Sequence, residues 1–542
     1  MKYQKFNKID LPNRTWPNAE ITHAPIWCSV DLRDGNQALI KPMSLEKKIR
    51  FFNLLVELGF KEIEIGFPSA SEVEYTFTRY LIENNLIPDD VTIQILTQAR
   101  EHLIAKSAEA LRGAKNVIVH LYNPTSTMQR EVVYGKSQQE IIDIALNGVA
   151  WIKQYFGAFE GSVRFEYSPE SFTQTELDYA LEISNAVIKA WDPKGEEKMI
   201  LNLPSTVESG TPNIYADQIE FMHKNILRRN NVLISLHAHN DRGCAVASTE
   251  LGLMAGADRV EGTLLGNGER TGNVDIVTLA LNMYTQGIDP KLDLSNVDKI
   301  VHVVEEATEI KTHIRHPYVG DLVYTAFSGS HQDAIKKGMA RQKEGERWYV
   351  PYLPIDPKDV GRSYESIIQI NSQSGKGGVS YILSSVFGYK IPKQMEPHVG
   401  ALIQQISDKH DGVVSERMIG EAFESHFMNR EDYYRVEHLL MSIDPNTTQI
   451  EGDFILGDRL FHESATAQGI IEAVVGVFRR LGVDFEVVDY AEHTLGYGEE
   501  AEAVAYFGIK INEAVFYGAG RGKNISYASV NGLLSALNVA HH

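Results

Sequence analysis

From about residue 26 the chain repeats one phrase: a short apolar, β-branched run, a turn, then a stretch with apolar residues at helical spacing and Glu and Lys on the opposite face. The runs that read as strands lie at 26–31, 62–67, 91–96, 116–122, 162–167, 199–203, 232–237 and 259–264. A helical pattern follows each of them. At 137–155, Ser137 and Glu140 form a capping box, and Ile141, Ile144, Ala145, Gly148 and Ile152 share one stripe, which predicts a helix lying against a sheet.

Eight strand-helix units in roughly 260 residues match a (β/α)8 barrel, whose usual size is about 250 residues. A doubly wound open sheet is the alternative. The barrel is favoured because polar residues recur at or just after the strand ends: Arg33 and Asp34, Gln98, His120, Ser168 and Glu170, Thr206, His237 and His239, Glu269 and Asn273. A barrel gathers all of these at one mouth, and an open sheet would scatter many of them.

After about residue 287 the alternation stops. Pro351, Pro354 and Pro357 exclude a regular helix at 350–357, and helical patterns resume at 393–407 and 415–428. From about residue 433 the chain turns β-rich, with runs at 449–456, 484–489, 502–507 and 513–517 and helices expected at 464–481 and 525–537. This predicts an α/β chain in four parts: an N-terminal arm (1–25), a TIM barrel (26–290), a mostly helical linker region (291–432) and a C-terminal α+β domain (433–542). The last part reads as two copies of a strand-strand-helix unit.

Composition narrows the class of ligand. Of 542 residues, 52 are Lys or Arg and 72 Asp or Glu, a formal charge of −20 that argues against nucleic acid or an anionic membrane as a general partner. Cys28 and Cys244 supply no disulfide framework, and no stretch has the apolar length of a signal peptide or a membrane span. The expectation is a cytoplasmic protein.

The candidate chemistry is metal binding. His237 and His239, two apart on a strand, point to the same face. In a closed barrel strand eight adjoins strand one, so Asp34 after the first strand, the two histidines on the seventh and Asn273 after the eighth become neighbours. Two imidazoles, a carboxylate and an amide oxygen suit Mg2+, Mn2+ or Zn2+ with positions left open for substrate. The alternative is a pair of hydrogen-bonded core histidines and an Arg33–Asp34 ion pair. Arg33 is a fork for a carboxylate or an enolate-like oxygen. His120, Ser168, Glu170 and Thr206 are candidate substrate hydrogen-bonders.

Three strings, Asp31-Leu32-Arg33-Asp34-Gly35-Asn36-Gln37, His237-Ala238-His239-Asn240-Asp241 and Gly266-Asn267-Gly268-Glu269-Arg270-Thr271-Gly272-Asn273, together resemble the Claisen-condensing barrel enzymes that join acetyl-CoA to 2-oxo acids. Glu166-Tyr167-Ser168-Pro169-Glu170, Ser328-Gly329-Ser330-His331-Gln332-Asp333-Ala334 and the run from Pro351 to Arg362 resemble the longer class of 2-isopropylmalate synthases, over essentially the whole chain. The resemblance implies a metal on Asp34, His237, His239 and Asn273, and 3-methyl-2-oxobutanoate held there with help from Arg33 and Thr206. It places His120, Ser168 and Glu170 around that acceptor. It further implies acetyl-CoA as co-substrate, K+ as an activating monovalent cation, and a homodimer whose partner chain brings His331 and Tyr364 to the site. His331 is the preferred enolising base, with Tyr364 and Glu269 in support.

The C-terminal part resembles a leucine-sensing regulatory domain, notably in Tyr517-Gly518-Ala519-Gly520-Arg521-Gly522. One departure is Glu463-Ser464-Ala465-Thr466-Ala467-Gln468-Gly469, where relatives often carry a Gly- and Pro-rich turn. Other acceptors, pyruvate or 2-oxoglutarate, and a CoA-thioester lyase on the same barrel are the competing readings. The chain shows no extra basic group for a distal carboxylate and no cysteine between Leu264 and Asn273.

Overall fold

A computed structural model describes residues 2, 6, 8–326, 328–362, 376–409, 414, 416–496 and 501–541. The chain divides into two compact units, Met1–Val323 with Pro357–Arg362 and Tyr324–Asp356 with Ser363–His542. Among the described residues no helix is long and apolar enough to cross a membrane.

The first unit holds a closed barrel of eight parallel strands in sequence order: β1 (Ile26–Ser29), β2 (Glu62–Gly66), β3 (Thr92–Gln98), β4 (Asn116–Pro124), β5 (Ser162–Glu170), β6 (Met199–Ser205), β7 (Val232–Ala238) and β8 (Arg259–Gly262). Ile26 to Ser29 pair with Arg259 to Gly262, which closes the ring and rules out the open sheet. The alternating helices are α1 (Leu45–Glu57), α2 (Glu72–Glu83), α3 (Glu101–Ala110), α4 (Gln138–Phe156), α5 (Leu177–Trp191), α6 (Pro212–Asn225), α7 (Ala245–Met254) and α8 (Ile276–Thr285), followed by α9 (Val297–Thr308) against α1. Ser44, Ser71 and Ser137 cap α1, α2 and α4 by accepting backbone N–H groups, and Glu140 completes the box at α4.

Branched apolar side chains usually fill such a barrel. Here the strands alternate in the other sense. Ile63, Ile65, Val117 and Val119 fall on the helix-covered face, while Glu62, Glu64, Gln94, Glu166, Arg259 and Glu261 are buried on the inner one. Arg259 ties the interior together, its Nε donating to Glu62 Oε2 at 2.6 Å, Nη1 to Glu261 Oε1 at 2.8 Å and Nη2 to Gln94 Oε1 at 2.7 Å. Buried ion pairs add little net stability compared with apolar packing of the same volume. A charged filling does, however, set the field at the mouth above it.

The second unit contains α10 (Gly329–Arg341), α11 (Lys376–Ser385), α12 (Glu396–Lys409) and α13 (Glu416–Phe427), then two antiparallel three-stranded sheets. The first sheet has β9 (Tyr434–Asp444), β10 (Thr447–Leu456) and β11 (Arg459–Ala467) and is followed by α14 (Ile470–Arg480). The second has β12 (Glu486–Leu495), β13 (Glu502–Ile511) and β14 (Ala514–Gly522) and is followed by α15 (Ile525–His541). The repeated phrase is therefore three strands and a helix, not two strands and a helix. Residues 464–467, expected to open a helix, instead finish β11, where Ser464 pairs with Glu451. An edge strand with one exposed face gives only a weak alternation, and its Glu and Ala residues favour helix locally.

β13 is buried on both faces. Val504 and Tyr506 share a core with Ile382, Val399 and Phe423 of α11 to α13. Ala505, Phe507 and Ile509 pack with Val474, Phe478 and Leu533 of α14 and α15.

Candidate active site

The chain leaves β1 through a tight π-type turn, Asp31–Gly35, that buries Asp34 and brings Arg33 beside it. Across the closed seam, β7 presents His237 and, two residues on, His239, with ring centroids 5.3 Å apart. Asp34 Oδ2 lies 3.1 Å from His237 Nε2 and 3.5 Å from His239 Nε2. A short bridge between His239 and Asn273 brings the amide of Asn273 to the same point, with Nδ2 donating to Asp34 Oδ2 at 2.7 Å. Asp34, His237 and His239 form one buried group able to hold a metal ion.

The donor set fits a cation on this structure's own terms. His237 Nδ1 lies 2.8 Å from Glu261 Oε2 and its Nε2 faces the Asp34 carboxylate, with Asn273 Nδ2 3.2 Å away. Burial pushes this imidazole down, but Asp34 and Glu261 outweigh that and raise it to about 9, so a bound cation would take the place of the Nε2 proton. Two lone-pair atoms 3.1 Å apart need a proton or a metal between them. His239 Nδ1 and Asn273 Oδ1 are also buried without a partner, and a half-turn of the Asn273 amide offers that oxygen to the cluster. Burial pushes the Asp34 carboxyl up, but Arg33 and then His237 and His239 outweigh it and hold it far below the usual carboxylate range. Burial and the neighbouring His237 push His239 down to about 4, keeping its imidazole neutral as a ligand requires.

Around this group lies a cavity of about 280 Å³. Arg33, Asp34, His120, Ser168, Glu170, Thr206, His237, His239 and Glu269 all line it, and Leu96 and Pro204 supply apolar wall. That volume suits a short oxo acid and the acyl end of a thioester, not a whole coenzyme. Arg33 Nε donates to Glu64 Oε2 at 2.6 Å and Nη1 to Asp34 Oδ1 at 2.9 Å, so the guanidinium is fixed at the cavity edge by two carboxylates. Thr206 Oγ1 accepts from the Ser171 N–H at 2.9 Å. Burial raises the carboxyl of Glu170.

The two contributors expected from a partner chain are His331 and Tyr364. His331 is on α10 in the second unit, exposed and stacked on Tyr352 at 4.0 Å between centroids. Tyr364 falls outside the described residues. The sequence reading also passed over Glu64, Asn202, Arg259 and Glu261, which sit one turn of the pleat below the mouth and hold its residues in place. Their signal was present in the alternations Glu62-Ile63-Glu64 and Arg259-Val260-Glu261.

Comparison with known proteins matches nearly the whole chain. Residues 24–304 match the HMGL-like family, residues 321–384 the alpha-isopropylmalate synthase post-catalytic domain-like family, and residues 413–541 the LeuA allosteric (dimerisation) domain. A 2-isopropylmalate synthase of Clostridium acetobutylicum is 53% identical over 99% of this chain and 98% of its own length. Those of Acetoanaerobium sticklandii and Pseudomonas savastanoi pv. phaseolicola are each 52% identical over 99% of this chain and 96% of theirs. A barrel mouth with a candidate metal group, joined to a post-catalytic region and a LeuA domain in one chain, belongs to the 2-isopropylmalate synthase family.

Proposed function

We propose that this chain condenses acetyl-CoA with 3-methyl-2-oxobutanoate and hydrolyses the resulting thioester to 2-isopropylmalate and CoA, the acyltransferase step that commits carbon to leucine. The observation that carries the substrate assignment is the 53% identity over 99% of the chain to a 2-isopropylmalate synthase. The buried Asp34, His237 and His239 group beside Arg33 supports the chemistry.

Asp34, His237 and His239, with Asn273, would hold Mg2+, Mn2+ or Zn2+, which supplies Lewis-acid polarisation of a ketone. The chain's own groups do the rest. Arg33 presents its remaining N–H groups to the carboxylate of the 2-oxo acid. Leu96 and Pro204 take its alkyl part, and His120, Ser168, Glu170 and Thr206 surround it. A base removes a proton from the acetyl methyl, and the enolate carbon forms the new bond to the keto carbon. His331 is assigned as that base, with Tyr364 and Glu269 in support, His331 and Tyr364 being delivered by the partner chain of a homodimer. The LeuA match at 413–541 supports both dimerisation and feedback by leucine; K+ completes the reading as an activating cation.

The test is CoA release, followed with a thiol reagent, across a panel of 2-oxo acids with Mg2+ or Mn2+. Release should be fastest with 3-methyl-2-oxobutanoate and should fall when millimolar leucine is added. Equal or faster release with pyruvate or 2-oxoglutarate overturns the acceptor assignment.

A further inference from the structure

The first sheet of the second unit carries a cluster of ligand-type side chains that the reaction at the barrel mouth does not use. Asp453 on β10 stands directly across from His462 on β11, and Glu451, two residues back, shares its face. His462 Nδ1 lies 2.9 Å from Asp453 Oδ1, and its Nε2 lies 3.2 Å from Glu451 Oε1. From the other side, His438 Nδ1 on β9 lies 2.9 Å from Asp453 Oδ2. Three strands thus bring two imidazoles and two carboxylates to one patch.

Regular pairing would not place His438 there. Tyr434 and Val436 pack toward the core before it, as do Leu439 and Met441 after it. In unbroken alternation with Val436, residue 438 would face the core as well. A bulge in β9 prevents that. Glu437 pairs with Asp453 and Leu440 with Glu451, which leaves His438 and Leu439 together opposite Gly452. His438 takes a φ of +49°, and Gly452 makes room for the bulge, since a Cβ there would lie 3.1 Å from Leu439 Cα. The extra residue is the one whose imidazole meets Asp453, and re-aiming a side chain is what bulges do at functional sites.

Hydrogen-bond counting shows what the cluster can take. A neutral imidazole has one N–H and one lone pair. When His462 donates from Nε2 to Glu451, its Nδ1 lone pair faces Asp453, the arrangement of a metal-binding histidine held by a carboxylate on its far nitrogen. The barrel mouth has the same pattern, with His237 between Glu261 and Asp34. The side chains of His438 and His462 are 80% and 67% exposed, so both rings are free to close from hydrogen-bond length to the coordination length of about 2.0–2.1 Å for imidazole on Zn2+. Imidazole with carboxylate suits Zn2+, Ni2+ or Cu2+, whereas Mn2+ stands at the weak end of the affinity order.

We propose that His438, His462 and Asp453 form a second divalent-metal site, selective for ions of the Zn2+ class, with Glu451 orienting His462. The ion ties β9, β10 and β11 together on the solvent side of the sheet. All four residues belong to the LeuA-matched part of the chain and none to the barrel.

The experiment is equilibrium dialysis of the full chain against Zn2+, with substitutions in each site. Wild type should bind about two ions, and Asp34→Ala, His462→Gln and Asp453→Asn about one each. Combining Asp34→Ala with His462→Gln should leave none. Dialysis against Mn2+ at the same concentration should count the mouth alone. Zn2+ should also raise the melting midpoint of the second unit, and His462→Gln, at an exposed position, should abolish that shift. A single Zn2+ per wild-type chain that is lost in Asp34→Ala overturns the second site, as does an undiminished count in both His462→Gln and Asp453→Asn. A count in Asp34→Ala equal to that of wild type overturns the mouth assignment instead, so the two failures are read separately.

Discussion

The two units bury different things. Among the described residues every buried charged side chain belongs to the first unit, among them Asp34, Glu62, Glu64, Glu166, Arg259 and Glu261. The buried polar residues of the second unit are neutral, such as Gln332, Ser380, Ser529 and Asn538, set among apolar cores. Burying a charge is costly unless it is paired, so a barrel full of paired charges marks where fixed fields are needed. The second unit has the interior of a domain built to pack and to bind. That contrast separates a charged barrel interior, with the candidate metal group at its mouth, from the neutral interior of the unit that carries the LeuA domain.

The comparison can be broken by mutation. Arg259→Met strands the carboxylates of Glu62 and Glu261, and should cost the barrel about 3–5 kcal/mol in urea unfolding of the full chain. A loss below about 1 kcal/mol would mean that the interior charges are not mutually compensating. In the second unit Leu533→Ala, at a fully buried apolar position, should cost about 2–5 kcal/mol in that unit's own transition. Metal uptake by the barrel should stay unchanged, and a loss of uptake would erase the separation drawn here. Glu261→Gln removes the carboxylate that fixes the His237 tautomer, and should weaken Mn2+ binding by about 10–100-fold, read by titration. The smallest expected effect is Ser137→Ala, which breaks the α4 capping box at an exposed residue that does not line the cavity. It should cost about 1 kcal/mol in thermal melting with KM and kcat intact.

The barrel was legible in the sequence because most strands carry a short β-branched apolar run and most helices an apolar stripe. The mouth was legible because its residues sit at strand ends, where eightfold closure assembles them. Glu64, Glu166, Arg259 and Glu261 escaped for a physical reason. Period-two alternation says which residues share a face and leaves open which face is inside, and polar positions in a strand ordinarily read as solvent-facing. In this barrel the sense is inverted. At 464–467 the failure was different: short edge pairing outweighed a local helix preference, and nothing in a single strand reports its partner. His331 was found from a motif, and a motif carries no information about which unit its side chain serves.

The central claim is that Asp34, His237 and His239 make the barrel mouth a divalent-metal centre for condensation. Equilibrium dialysis of the full chain against Mn2+ tests it most directly, with Asp34→Ala and His237→Ala alongside wild type and thermal melting to confirm folding. The account predicts about one ion bound per wild-type chain and none by either folded variant at the same free concentration. Undiminished binding by both folded variants would contradict it.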